Sequence, residues 1–254
     1  MRPKRVLQLA MPFWLLCLCV CPGRAAAAVL HHGSYAGTTL NFVSVWEESF
    51  TDGLPLYGAP MVLGDVLGFF PRNFSASAAG GSSDTTAGRL VIETVSMPGL
   101  AINGISVAQI GDWLLSGVGT SATAVSASAT LKVTSLTHGG ATFTTPVVFN
   151  VGQPVALGAA PPSGSWTAEG AIDLLNDLGW FGASSVVIEL DNMLVATSEP
   201  GTTAFGQNKV VVGAVVAIAT GPIPAPVIPE PGSILIWSLG GLLGVWLMRR
   251  RQRG

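Results

Sequence analysis

Cysteine runs out at position 21. Cys17, Cys19 and Cys21 are the only three in the chain, so nothing beyond them can form a disulfide framework or a cysteine-ligated zinc site. Charge is almost as scarce, at 10% of residues. Between Val29 and Thr220 the cations are Arg72, Arg89, Lys132 and Lys209, against thirteen carboxylates, a net charge of −9 with histidine neutral. A segment of that sign repels nucleic acid and anionic lipid, which argues against a DNA or RNA partner. There are only three histidines, and none shares a recognisable motif with a serine or carboxylate. No P-loop, dinucleotide fingerprint or zinc spacing is present, so the sequence calls for no cofactor. Long apolar runs are confined to the two ends.

At the first end, Met1 to Arg5 is basic and Val6 to Val20 is mostly apolar. Ala25 to Ala28 then supplies the small residues that signal peptidase needs. Residues 1–28 read as a signal peptide cut after Ala27 or Ala28, which removes all three cysteines with the leader. A lipoprotein reading fails because Val20 precedes Cys21 where a small residue is required.

At the other end, residues 221–254 open with Pro222, Pro224 and Pro226 and continue to Pro229-Glu230-Pro231. Proline fixes φ and removes a backbone donor, so this linker should be extended. Ser233 to Met248 follows without a charge, then Arg249, Arg250, Arg251 and Arg253. As a helix the apolar run spans roughly 24 Å, short for a permanent membrane span. The arginines should hold its end on the cytoplasmic side and so stop translocation.

Pro229-Glu230-Pro231, a short apolar helix and an arginine cluster, in that order, resemble the PEP-CTERM sorting signal. The resemblance implies recognition by an exosortase, a membrane-embedded transpeptidase-like enzyme of Gram-negative bacteria that make exopolysaccharide. Cleavage near the triplet would convert a membrane-anchored precursor into a protein of the cell surface or extracellular matrix, leaving the inner membrane a transient partner. The segments TLNFVSVWEES, YGAPMVLGDVLGFFP, FSASAAGGSSDTTAGRL and DNMLVATSEPGTTAF also resemble those of PEP-CTERM proteins with a single exported β-domain. That group carries no activity to transfer.

Residues 29–220 read as the exported domain, an all-β fold. Leu40, Phe42 and Trp46 suggest a half-buried strand by their period of two. Gly64-Asp65 between Met61-Val62-Leu63 and Val66 to Phe69 predicts a tight hairpin, and Asn103-Gly104 predicts another. Phe74 to Ala78 suggests a further strand, and Gly80 to Gly88 is loop-like in composition. Arg89 to Met97, Thr120 to Thr134, Thr142 to Val151, Ser185 to Leu190, Met193 to Thr197 and Val210 to Ala219 read as strands, with Pro146 placing its own at an edge or bulge. Ser165 to Phe181 instead spaces Ala168, Ile172 and Leu175 as on a helix, with Ser165 as N-cap. The expected architecture is a β-sandwich of jelly-roll type with one short helix, plus the signal peptide and a C-terminal single hydrophobic helix.

Candidate sites in the domain are few. His31 and His32 sit beside the expected mature N-terminus and read as solvated. Glu47 and Glu48 are adjacent, so on a strand they point to opposite faces and cannot act as a pair. Glu189 and Asp191 share a face, with Asn192 beside them at a strand end, and are the candidates for a calcium site, although a solvated strand face explains them as well. Asp173 and Asp177 fall at i and i+4 on the expected helix and should face water. Trp46, Trp113, Trp166, Trp180, Tyr35 and Tyr57 are candidates for a sugar-stacking platform, set against their ordinary use in a core. The leading expectation is a non-catalytic surface or matrix protein processed by signal peptidase and exosortase and associated with exopolysaccharide or biofilm. The alternative is a carbohydrate-binding or weakly carbohydrate-active module.

Overall fold

The computed structural model describes residues 28–208 and 214–223. The leader through Ala27, the triplet Pro229-Glu230-Pro231, the apolar run and the terminal arginines lie outside the described residues. Within them the chain forms fifteen strands and no helix, and no helix is long and apolar enough to cross a membrane.

The chain moves back and forth between two sheets. β1 (Ala28–Ala36) and β2 (Leu40–Ser49) open the first sheet. The second begins with β3 (Met61–Leu63) and β4 (Val66–Phe69), then β5 (Ser75–Ala79). β6 (Ser83–Ser96) returns to the first, β7 (Leu100–Gly117) goes to the second and β8 (Ala124–Ser135) to the first. β9 (Thr142–Pro146) flanks β8, whereas β10 (Val148–Phe149), just past Pro146, already belongs to the second sheet. β11 (Val155–Ala156) and β13 (Ser185–Thr197) lie in the first sheet. β12 (Ser163–Asp173), β14 (Thr202–Asn208) and β15 (Ala214–Pro222) lie in the second.

The first sheet runs β1-β2-β6-β13-β8-β11 and the second β10-β12-β7-β15-β4-β3, with β14 between β7 and β5. Every strand pairing within them is antiparallel. Long strands that alternate between two facing antiparallel sheets make a jelly-roll-like sandwich. Its core is the set of inward positions, such as Val186, Ile188, Leu190 and Leu194 of β13, with Ile105, Val107 and Leu115 of β7. Alternation along each strand puts them there.

Five expectations need correction. The helix at 165–181 is absent. Ser163 to Asp173 pairs residue for residue with β7, from Ser163 opposite Leu114 to Asp173 opposite Gly104. Trp166, Ala168 and Ile172 are buried on alternate positions, a period of two that overlaps the helical spacing read from Ala168 and Ile172. Gly164 and Gly170 also weaken a helix. What remains is one turn, in which the Asp177 N–H reaches the Asp173 carbonyl at 3.2 Å.

Asn103-Gly104 is not a hairpin either. It lies inside β7, and Asn103 is the extra residue of a bulge, since Gly104 is opposite Ala219 while Ile102 is opposite Thr220. The hairpin at Gly64-Asp65 does form, with Gly64 at φ +63 and Leu63 paired with Val66. Third, part of the expected loop at 80–88 is strand, since β6 begins at Ser83. Fourth, the two separate runs expected at 185–197 are one continuous β13.

The fifth correction concerns β2. Phe42 pairs with Thr94 but Ser44 with Glu93, so Val43 is an extra residue. The bulge reverses the inward set, and Leu40 and Phe42 are followed inside by Val45, Glu47 and Ser49. Trp46 is thereby turned to the outer face.

Candidate functional site

The β2 bulge carries the Glu47 carboxylate into the interior, where its side chain is fully buried. Its Oε2 accepts hydrogen bonds from the backbone N–H groups of Leu56 and Tyr57, both at 2.7 Å, and Oε1 accepts one from Gly58 at 3.3 Å. His32 Nε2 lies 2.8 Å from Oε1, with its own side chain 6% exposed. The 31–32 pair is therefore split by strand alternation. His31 faces out, 6.2 Å from the Trp46 ring, while His32 is enclosed and paired, contrary to the solvated reading. Glu47 and Glu48 do point to opposite faces, as strand geometry requires. The cluster fixes residues 56–58 of the β2–β3 connection to the sheet, because three consecutive N–H donors find one acceptor that no neighbouring strand supplies.

The clamp positions a second polar group. Tyr57 is fully buried against Phe69 and Phe74, with ring centroids at 6.3 and 5.4 Å. Its hydroxyl oxygen accepts from Asn192 Nδ2 at 2.6 Å, and Asn192 Oδ1 accepts from Gln109 Nε2 at 2.8 Å. Burial pushes the Tyr57 hydroxyl far above its ordinary range, so it stays protonated. This chain of amides ties β13 to β7 across the core. Asn192 is thus mid-strand and inward, not at a strand end beside the two acids.

Glu189 and Asp191 do share the outer face of β13. Their carboxylates, however, are taken by cations of neighbouring strands. Arg89 of β6 donates to Asp191 at 2.6 and 3.2 Å and lies 3.7 Å from Glu189, and Lys132 of β8 reaches Glu189 at 2.6 Å. The hydrogen bond to Asp191 holds the Arg89 guanidinium above its usual value. Among the described residues no group of three or more His, Cys, Asp or Glu side chains is arranged to hold a metal ion.

Other carboxylates are likewise absorbed by loops. Asp65 accepts from Thr38 N, Thr39 N and the Thr39 hydroxyl, which joins the β1–β2 turn to the β3–β4 turn. Partial burial works to raise its pKa, but the hydrogen bonds of Thr39, Thr38 and Leu40 together outweigh it and leave Asp65 below 3.8. Asp173 is held low by the Asn176 N–H and side-chain amide and by Leu175 N, and Glu199 by the Thr120 N–H and the hydroxyls of Thr120 and Thr123.

The aromatic candidates are spread over core and rim. Trp166 and Tyr57 are buried in the core, and Trp113 is 7% exposed with its Nε1–H donating to Pro161 O at 3.1 Å. Tyr35 is half-buried and its hydroxyl donates to the His32 carbonyl. Tyr35, Trp46 and Trp180 keep a face partly open, and they sit on three different elements. Trp180 stacks on His138 with centroids 6.1 Å apart and planes 18° apart. Among the open concavities, two adjoin candidate residues. A trough on the outer face of the second sheet, about 500 Å³, is lined by Asn103, Ser106, Asp173, Asn176 and Ala217 among others. An apolar cleft of about 550 Å³ lies between Trp113, Pro154, Val155 and Pro161.

No protein-family model matches the chain, and no curated protein matches it. Solved structures align over most of its length at very low similarity. A family-61 carbohydrate-binding module in complex with β-1,4-galactotriose is 9% identical, covering 76% of this chain and 88% of its own, with a TM-score of 0.21. The xylan-binding module CBM15 is 10% identical, covering 76% and 98%, with a TM-score of 0.24. A structure of infectious bursal disease virus, strain Gx, is 15% identical, covering 81% and 60%, at 0.22. At such scores the likeness carries no functional argument, and the architecture is read from the strand pairing itself.

Proposed function

We propose that this chain is an exported, non-catalytic protein of the cell surface or extracellular matrix, sorted by an exosortase at Pro229-Glu230-Pro231 and associated with exopolysaccharide. The observation that carries the reading is the order Pro-Glu-Pro, a charge-free apolar run and an arginine cluster. Two further features support it. The cysteine-free span after the leader suits an oxidising destination. The last strand among the described residues also ends at Pro222, the first proline of the linker in the sequence. A linker of prolines lacks donors for a ladder, which keeps its backbone open to a processing enzyme.

The test is Glu230→Ala in a host that has an exosortase, followed by immunoblot of cells and medium. The unaltered protein should appear outside the cell, shortened at its C-terminal end, and the variant should stay full-length in the membrane. Equal release of the two would overturn the reading.

A second reading, glycan binding by the domain itself, rests on the trough floored by Gly104, Ser106, Ala171 and Ala217 and edged by Asn103, Asp173 and Asn176. Small floor residues leave room for a chain of sugars, and the edge groups supply hydrogen bonds. Retention of the domain on host exopolysaccharide that is lost in Asn176→Ala and Ala217→Trp would establish it.

A further inference from the structure

One end of the sandwich gathers the turn after β8, the loop from β12 to β13, the β6–β7 turn and the end of β15. The apolar side chains there are joined through their backbones. Ile223 N donates to Gly99 O at 3.3 Å, and Gly182 lies against Ile223, whose Cγ2 would be 3.8 Å from a Cβ at that glycine. Phe181, next to Gly182, is 66% exposed, and its carbonyl oxygen lies 3.2 Å from His138 Nε2. His138 in turn stacks on Trp180. Leu136, 48% exposed, is tied to the same loop by its N–H to Ser185 O at 2.9 Å.

This tip is rigid. Trp180 N donates to Leu174 O, Ala183 N to Trp180 O and Ile102 N to Ala183 O. Residues 97–100, 136–141, 174–184 and 220–223 contain no lysine or arginine, while Asp173 and Asp177 stand at the flank. The surface is therefore apolar and aromatic with an acidic border, unsuited to an anionic partner. It is also where the chain departs toward the apolar run. Nine residues, 224–232, separate Ile223 from Ser233, and fully extended they reach at most roughly 32 Å.

We propose that this tip, formed by Leu136, Trp180, Phe181 and Ile223, rests in the interface of the lipid bilayer while the protein is still anchored by residues 233–248. The proposal rests on the membrane-anchored precursor stage of the function above. Tryptophan suits the headgroup level, where its ring is apolar and its N–H wet, and Leu136, Phe181 and Ile223 supply apolar surface for the acyl boundary. The short tether makes the contact effectively intramolecular, at a local concentration on the order of millimolar, so a small patch suffices. Because the tip lacks cations, it favours zwitterionic over anionic lipid. Cleavage near Glu230 removes the tether, and the contact is lost on release.

The experiment uses the full chain in phosphatidylcholine vesicles that carry acyl-brominated lipid, with tryptophan emission as the readout. In a full-length Trp14→Phe, Trp180→Phe variant, quenching of Trp237 and Trp246 reports insertion of the apolar run. A Trp14→Phe, Trp237→Phe, Trp246→Phe background reports the domain, where Trp113 and Trp166 are enclosed. Emission in that background should fall with brominated lipid, and the fall should vanish with Trp180→Phe and with Leu136→Ser/Phe181→Ser. Both serines replace exposed side chains, so an unchanged thermal midpoint checks that the fold persists. Insertion of the run without any quenching in the background overturns the proposal and leaves the anchor reading standing. Failure of Trp237 and Trp246 to be quenched overturns both.

Discussion

Replacing Glu47 by alanine removes one acceptor from four donors at once. The N–H groups of Leu56, Tyr57 and Gly58 and the His32 imidazole all converge on its carboxylate, which is fully buried. A buried donor left unpaired costs about 1–3 kcal/mol, and four such donors share this one carboxylate. Some of the four groups recover water in the vacated space, so the total should be about 3–5 kcal/mol rather than their sum. Against a domain stability of about 5–15 kcal/mol that is a large fraction. At about 2–4 °C per kcal/mol for a domain of this size, the thermal midpoint should fall by about 6–20 °C. Glu47→Gln should recover only part of it, because its carbonyl oxygen can still accept from Leu56 and Tyr57 while its NH2 faces the Gly58 N–H. Glu48→Ala, one residue away on the outer face, should change stability by less than about 0.5 kcal/mol. Urea unfolding of residues 28–223, followed by tryptophan fluorescence, measures all three. A cost for Glu47→Ala below about 1 kcal/mol would refute the clamp.

Three further outcomes are expected. Gly111→Ala should destabilise by about 1–3 kcal/mol or more, since the added methyl overlaps the Trp166 indole and the Gln207 carbonyl, so near-neutral behaviour in the same assay would contradict that packing. Asp65, Asp173 and Glu199 titrate below their ordinary values of 3.8, 3.8 and 4.5 in the folded state, so the unfolded chain binds more protons. Their stabilisation is therefore complete above those ordinary values and disappears as pH falls through the lower folded ones, and Asp65→Asn should flatten this acid limb in midpoint-against-pH scans. Micromolar calcium should give no saturable rise in thermal midpoint, because Arg89 and Lys132 already occupy the Glu189 and Asp191 carboxylates; a rise abolished by Asp191→Ala would show a cation site there.

The sheet content was legible because alternation and turn residues are local signals. The Gly64-Asp65 turn follows from a glycine that adopts positive φ at no steric cost. The same local logic failed at Asn103-Gly104, where pairing on both sides with β12 and β15 carries an 18-residue strand through a sequence that favours a turn. It failed again at 165–173. Gly111 opposite Trp166 and Gly164 opposite Trp113 make room for two indoles across the β7–β12 ladder, a complementarity that appears only once the strands are paired. Glu47 was hidden for a similar reason. A one-residue bulge at Val43 decides which of two adjacent glutamates turns inward, and its partners lie fifteen residues before it and nine to eleven after it. One signal could have pointed there. Glycine and proline crowd residues 53–60, and a connection of that kind needs an acceptor for its free N–H groups.

The central claim is that an address at the C-terminal side sends this sandwich out of the cell. Intact-mass and terminal-peptide mass spectrometry of the protein recovered from the medium of an exosortase-bearing host tests it most directly. The account predicts a mature chain beginning at Ala28 or Val29 and ending near Pro229-Glu230-Pro231, without Trp237, Trp246 or the arginines. Recovery only from the membrane, with Arg249 to Arg253 still attached, would contradict it.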